Sequence, residues 1–417
     1  MPIQDPDSFL RRLFDIAVEV ADPMAVIPRV LPEKPDGRVV VIGAGKASAR
    51  MAEAVESVWG PCEGLVITRY GYGRPCEGIE IVEAAHPVPD EAGLVATSRM
   101  LHRLQGLGEG DFVLSLISGG ASALLVQPAG DITLAEKQAV NAALLASGAP
   151  IDKMNILRKH LSRVKGGQLA AAAYPAKMLS LMISDVPGDD MAFIGSGPTV
   201  GDATTAADAR GIIEKWKIEI PASVDAVLSG ETGVVAPGDE RLSRADNRVI
   251  AAPSQSLAAA VKEAVAAGCQ VHLLGDDIEG EARDVAAEHA KAALSARGAK
   301  PVLLLSGGEL TVTRRGDGVG GPNAEYALAL AKALDGAEGI YAIACDTDGV
   351  DGAAEVAGAV VTPRTLARAL ELGGDPAEAL ARNDAHSFFA RLEDQVVPGP
   401  TLTNVNDFRA ILVLPSA

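Results

Sequence analysis

The chain has 417 residues, 48% of them hydrophobic and 22% charged, a globular composition in a length that calls for two domains rather than one core. Its 37 basic against 55 acidic residues leave a formal charge of −18. That balance argues against nucleic acid or an anionic membrane as partner, since both require a basic face, but it leaves room for a small anionic substrate held by a few focused cations.

In chain order, the opening MPIQDPDSFLRRLF carries early acids and no apolar core of signal-peptide length, and Ser8–Val20 reads as a helix. RVVVIGAGK reads as a buried strand running into a helix from Lys46 to about Trp59. GLVITR and IEIVEAAHP follow as strands, and Pro89 and Asp90 open a helix to about Gln105. DFVLSLISGG is a strand ending in a glycine turn, two helices fill Thr133–Val164, and KMLSLMISDVPGDD is the next strand and turn. Around Gly230–Asp246 the periodicity lapses, as expected of a connection near a domain boundary. A second alternation then begins: NRVIAAP, a helix, QVHLLG, a helix from Glu279 to Ala296, KPVLLLSGGE, a helix after Asn323, GIYAIACDTDG, and FRAILVLP as a terminal edge strand. Strands alternating with helices imply α/β units with parallel sheets, so that ligands bind beyond the carboxyl ends of the strands. No apolar stretch is long enough to span a membrane. The four cysteines lack CxxC spacing and read as scattered buried thiols of a cytoplasmic protein.

Several of the turns carry candidate chemistry. In GAGKAS, Gly43 and Gly45 allow close approach of the backbone to an anion at a helix N-terminus. Lys46 would stand in the first helical turn, against the helix dipole, which suggests a bound anion; a solvated lysine is the plain alternative. The motif lacks the spacing of a Walker A loop, and Ser48 occupies the third glycine position of a dinucleotide fingerprint. SGGASAL offers Ser118, Gly119, Gly120 and Ser122 as a nest of donors or simply a capped turn. In NILRKHLSRVKGGQLA, Arg158 and Ser162 would share a helix face and Lys165 precedes a glycine pair, giving either an anion clamp or a solvated basic helix. Asp185, Asp189 and Asp190 in SDVPGDD follow a strand, where carboxylates can hold Mg²⁺ through water and phosphate oxygens, with Ser196 close behind. The later part adds Glu309, Asn323, Glu325, Asp348 and, near the end, Asn404 and Asn406. DTDGVDG partly matches a calcium loop but lacks its closing glutamate.

As an ordered series, GAGKAS, SGGASALL, KHLSRVKGGQLA, SDVPGDD, GSGPT, SGGE, GGPNAE, DTDGVDG and TNVND resemble the glycerate 2-kinase family, whose C-terminal part is known as the MOFRL domain. The resemblance runs from about residue 8 to 415. It implies a Rossmann-like doubly wound N-terminal domain (1–235), a smaller α/β C-terminal MOFRL domain (236–417), and an active site in the interdomain cleft. It also implies transfer of the γ-phosphate of ATP to the 2-hydroxyl of D-glycerate, with Mg²⁺ as cofactor and a homodimer left open. Lys46 falls on the lysine the family places in its active site. On this reading Lys46, Asp185 and Asp189 are catalytic, with Asp185 as base and Asp189 and Asp190 on the metal. Gly43, Gly45, Ser118, Gly119, Gly120, Ser122, Arg158, Lys165, Ser196, Glu309, Asn323, Glu325, Asp348 and Asn406 bind substrate or nucleotide. The departure is Pro322, where the family usually has arginine; Arg314 and Arg315 lie nearby in sequence. Two alternatives stay open. One is an NAD(P)H-dependent hydroxypyruvate reductase using GAGKAS for pyrophosphate and Arg69 for a 2′-phosphate. The other is a non-catalytic sugar-acid sensor.

Overall fold

Residues 3–415 are described by the structure, a computed structural model; the outermost positions of both expected domains, 1–2 and 416–417, lie outside the described residues. Six strands of the N-terminal half, β1 (Val39–Ala44), β2 (Glu63–Arg69), β3 (Ile79–Ala84), β4 (Phe112–Ile117), β5 (Lys177–Ile183) and β6 (Ala245–Ala251), form one sheet in the order β3-β2-β1-β4-β5-β6. The pairs β1–β2, β2–β3, β1–β4 and β4–β5 are all parallel. β1 is buried along its whole length, which is why VVVI is a continuous apolar run rather than an alternating one. This is the doubly wound order, in which the chain's direction of travel reverses between β1 and β4.

Two helices beyond β4 carry cationic side chains on faces set by their packing. Leu134–Ala146 begins at a capping box, Thr133 with Glu136, and Ile151–His160 comes after it. Val140, Leu144, Leu157 and Leu161 from these helices pack with Ile212 and Val224 in one apolar cluster. That burial fixes the facing of Lys137 on the first helix and Arg158 on the second.

The C-terminal half contains β7 (Gln270–Gly275), β8 (Gly280–Glu281), β9 (Val302–Ser306), β10 (Leu310–Thr311), β11 (Ile340–Asp346), β12 (Gly358–Val361), β13 (Gln395–Val396) and β14 (Asp407–Val413). β8 and β10 pair separately, and the other six form a sheet in the order β13-β12-β11-β14-β9-β7. Only β7–β9 is parallel there, so the expectation of a second parallel sheet is corrected to a mixed, mainly antiparallel one. The cause is β14. It inserts between β11 and β9, antiparallel to both, and all seven of its residues are buried. It is therefore an interior strand, not an edge strand. Its one long cation, Arg409, is tolerated there because the guanidinium lies 2.7 Å from the Asp407 carboxylate.

The chain divides into two units, one of residues 23–184 and 189–250 and the other of residues 3–22, 185–188 and 251–415. This differs from a single cut at 235/236 in two places. Residues 236–250 stay with the first unit because β6 extends its sheet beside β5. The N-terminal helix Pro6–Glu19 belongs to the second unit, where Leu10, Leu13 and Phe14 enter a core with Leu257, Leu303 and Phe408. The Phe14 and Phe408 rings are 6.1 Å apart. Each large side chain so buried contributes about 1.5–3 kcal/mol, enough to decide which core the helix joins.

Candidate active site

The carboxyl ends of β1 and β4, neighbours at the reversal point of the first sheet, supply GAGK and SGGAS. In open α/β sheets the ligand binds at this place, outside the carboxyl ends of the strands where the strand order reverses. The two turns interlock. A Cβ on Gly43 would fall 2.2 Å from the Leu116 carbonyl oxygen, and one on Gly45 would fall 2.1 Å from Ser118 Oγ. Gly45 also has a φ of +144°, so no other residue suits the position. Ser118 is fully buried and its Oγ accepts the Ala47 amide at 3.0 Å. Ser48 Oγ donates to the Leu116 carbonyl at 2.9 Å. Gly43, Gly45, Ser118 and Ser48 are thus the joint between the two turns. The Lys46 amide donates to the Gly119 carbonyl at 2.8 Å. The helix begins only at Ser48, so Lys46 lies in the turn ahead of it and not, as expected, in its first turn. The cross-turn hydrogen bond holds it there. Gly120 adopts a φ of +81°, and a Cβ there would approach His86 Cδ2 to 3.0 Å and Lys46 Cγ to 3.4 Å. His86 and Lys46 therefore flank Gly120.

Beside this turn lies a cavity of about 170 Å³ lined by His86, Gly120, Ser122, Lys137, Arg158 and Lys165 among others. Lys165 is buried, and its Nζ donates to the Ser122 carbonyl at 2.7 Å and the Leu125 carbonyl at 3.1 Å. Lys137, also buried, donates to the Leu161 carbonyl at 3.2 Å. Arg158 donates to Asn155 Oδ1 at 3.4 Å. Among the described residues none of these three cations forms an ion pair with a carboxylate. Burial, then the charges of Lys137 and Arg158, push Lys165 well below the usual lysine range. Burial and then Arg158 push Lys137 down to about 8, and burial lowers Arg158. Ser122 Oγ is 2.8 Å from Ser196 Oγ, and Ser196 holds a φ of +64°, a costly conformation for a residue other than glycine. Ser162, expected on one helix face with Arg158, lies past the helix end at His160 and bridges to Pro128. A larger cavity of about 730 Å³, bordered by Gly130, Arg163, Gly230 and Thr232, takes Ser162 into its lining but none of the other candidate residues.

Of the acidic turn, Asp189 and Asp190 belong to the first unit and Asp185 to the second. Asp189 has a φ of +55°, and its Oδ1 is buried without a hydrogen-bond partner. Asp190 Oδ1 accepts the Ala192 amide at 2.9 Å. Among the described residues no three His, Cys, Asp or Glu side chains cluster as metal ligands. Mg²⁺ carried on nucleotide phosphates needs only one or two carboxylates, and the unpartnered Asp189 oxygen fits that demand. Asp185 is held by two amides: its carboxylate accepts from Asn404 at 2.9 Å and its carbonyl from Asn406 at 3.1 Å. Asn406 has a φ of +68°.

The other residues of the second unit divide by environment. Glu309 is exposed at the turn after β9, and Asp348 is buried with its carboxylate accepting the Val350 amide at 2.8 Å. Glu325 is fully buried, paired with Arg283 at 2.6 Å and with Asn383 at 2.9 Å, which makes it an internal tie. Asn323 donates to Asp407 at 2.7 Å, while its own Oδ1 is buried without a partner. Pro322 opens the helix Pro322–Leu334, where a missing N–H costs nothing. Arg314 is turned onto the Gly316 and Gly318 carbonyls of its own loop. Sequence reasoning missed Lys137, His86 and Asp351. Lys137 looks like an ordinary surface lysine in LAEKQAV, and His86 is a lone histidine before proline. Asp351 caps the helix from a distance of 28 residues, accepting the Asn323 amide at 3.0 Å.

A doubly wound sheet with its glycine turns at the reversal point, followed by a separate unit with a mixed sheet, defines a two-unit α/β protein with a ligand-site geometry in its first unit. A family model described as a domain of unknown function, DUF4147, matches residues 9–229, and the MOFRL family model matches residues 302–407. A protein of Agrobacterium vitis with the provisional name hydroxypyruvate reductase is 52% identical over 97% of this chain and 94% of its own. The D-glycerate 2-kinase of Thermotoga maritima is 36% identical over 97% of this chain and 98% of its own. The crystal structure of a Thermotoga maritima glycerate kinase superposes with a TM-score of 0.88 at 35% identity, covering 98% of this chain and 99% of that one. The chain belongs to the glycerate 2-kinase family.

Proposed function

We propose that this protein transfers the γ-phosphoryl group of ATP to the 2-hydroxyl of D-glycerate, giving 2-phosphoglycerate and ADP. The observation that carries the reading is the Lys46 turn beside a cation-lined cavity at the reversal point of the sheet, in a chain alike over its length to glycerate kinases. Phosphoryl transfer is accelerated mainly by positioning and charge neutralisation, and an acidic protein with a local concentration of cations is suited to both. In this mechanism Asp185, oriented by Asn404, takes the proton of the 2-hydroxyl. The freed oxygen attacks the γ-phosphorus and ADP departs. Lys46 neutralises charge on the phosphoryl group in transit, and the Gly119–Ser122 turn orients oxygens of the substrate. Asp189 and Asp190 would hold Mg²⁺, which supplies charge neutralisation at the ATP phosphates. Glu309, Asn323, Asp348 and Asn406 are proposed to complete substrate binding, and Glu325 to support them through its ties to Arg283 and Asn383.

The dinucleotide alternative meets a specific obstacle. Gly43 and Gly45 are consumed by the contact with Leu116 and Ser118, so their open faces are not turned to a pyrophosphate. Arg69 lies 4.6 Å over the Tyr72 ring. Free Cys62, Cys76, Cys269 and Cys345 suit a reducing compartment, and among the described residues no helix is long and apolar enough to cross a membrane. Turnover of ATP in the presence of D-glycerate, with and without a chelator, tests the proposal against NADPH oxidation with hydroxypyruvate. Glycerate-dependent, chelator-sensitive ADP release is the expected result. NADPH oxidation without ADP release would overturn it.

A further inference from the structure

We infer that the cavity bounded by Lys137, Arg158 and Lys165 is a binding site for one small oxyanion, the carboxylate of a three-carbon hydroxy acid or a phosphoryl group. The inference rests on the kinase reading only for the identity of the hydroxy acid. The three cations come from separate segments, one from each of two helices and one from the turn after them, and converge on a single space of about 170 Å³. That is well under the roughly 300 Å³ at which sites for drug-sized ligands begin, so the cavity admits a glycerate or a phosphate but not a nucleoside.

The cations' own partners leave most of their donors uncommitted. Lys165 spends two of three N–H bonds on main-chain carbonyls, Lys137 spends one of three, and Arg158 makes one bond to an amide. Like charges buried together without a counter-charge destabilise one another, and each lysine shows it in the direction of its proton affinity. A protein with a formal charge of −18 has acids in plenty, yet none is supplied here. An anion from solution would occupy the donors and offset the repulsion. Ser122 and Ser196, joined at 2.8 Å, add hydroxyls beside the same space.

The test is calorimetric titration of the full chain with D-glycerate and, separately, inorganic phosphate, in the wild type and in Lys137→Met and Arg158→Met. Each variant should bind at least one of the two anions about tenfold or more weakly. Loss confined to glycerate identifies a carboxylate as the occupant, and loss of phosphate identifies a phosphoryl group. A second readout uses the wild type alone. The titratable and charged groups facing the space are Lys137, Arg158, Lys165 and His86, with Lys46 across Gly120. An anion among them should draw in protons near pH 8, seen as a binding heat that changes with the ionisation enthalpy of the buffer. Unchanged affinities for both anions in folded variants, or binding without proton uptake, would overturn the inference. Turnover separates it from the function: variants that phosphorylate glycerate with the KM of both glycerate and ATP unchanged refute the anion site and leave the kinase standing. Cluster-dependent anion binding without any ATP turnover does the reverse.

Discussion

Replacing Lys137 by Met should make the ligand-free protein more stable while weakening its hold on substrate. Lys137 is buried, and its proton affinity falls from the ordinary 10.5 to about 8, first through burial and then through Arg158. A fall of that size corresponds to about 3 kcal/mol of penalty on the charged form. Against it stands one hydrogen bond from the ammonium to the Leu161 carbonyl, worth about 1.5–3 kcal/mol for a charged donor. The Leu161 carbonyl keeps a second donor, the Ala129 amide at 3.3 Å, so its loss lies at the low end. Met fills nearly the same volume, and the expected net gain is about 1–2 kcal/mol at pH 7. Below pH 8 both folded and unfolded chains carry the proton and the penalty is full. Between 8 and 10.5 the unfolded chain binds the proton that the folded chain has released, so wild-type stability climbs with pH. That climb of about 3 kcal/mol exceeds the variant's advantage, so the wild type should overtake the variant before pH 10.5. Urea unfolding of both proteins from pH 7 to 10.5 measures this. A variant less stable than wild type across the whole range would refute the reasoning, because it would mean that the ammonium is compensated in the empty site.

Lys46→Met should leave the fold intact and lower kcat by on the order of a hundredfold, as loss of a charge aimed at the transition state does; near-normal kcat would remove Lys46 from the chemistry. Gly45→Ala, whose Cβ would lie 2.1 Å from Ser118 Oγ and 2.6 Å from the Ser118 carbonyl, should cost about 3 kcal/mol or more by pushing the two turns apart. Wild-type thermal stability in that variant would show that the turns are not interlocked. Lys217 ends the helix Ala206–Trp216 at a φ of +52°. Lys217→Gly should therefore stabilise by about 1 kcal/mol, with kcat and KM untouched, and a drop in urea midpoint would contradict the strain argument.

The first sheet was readable because a buried parallel strand is a continuous apolar run, and RVVVIG, GLVITR, DFVLSL and KMLSLM are such runs. The second sheet is not legible in the same way, because an interior antiparallel strand gives the same signature. DFRAILV carries nothing that tells whether it lies at an edge or between β11 and β9. The glycine turns are legible as turns after strands, yet Gly43, Gly45 and Ser118 pack turn on turn, since spacing shows that a glycine is needed without showing what approaches it. Arg158 and Lys165 stood out as the basic part of an acidic chain. Lys137 did not, because its capture by the cavity depends on how Val140 and Leu144 bury the opposite face of its helix. The N-terminal helix is amphipathic on its own terms, but nothing local records that its partner is Phe408.

The most direct measurement is phosphorus NMR of the product made from D-glycerate, ATP and Mg²⁺, which distinguishes the two monophosphate isomers. The expected product is 2-phosphoglycerate, formed only when both glycerate and ATP are present. A product phosphorylated at the 3-hydroxyl would contradict the assignment of the reacting oxygen, and no phosphorylated product at all would contradict the kinase reading itself.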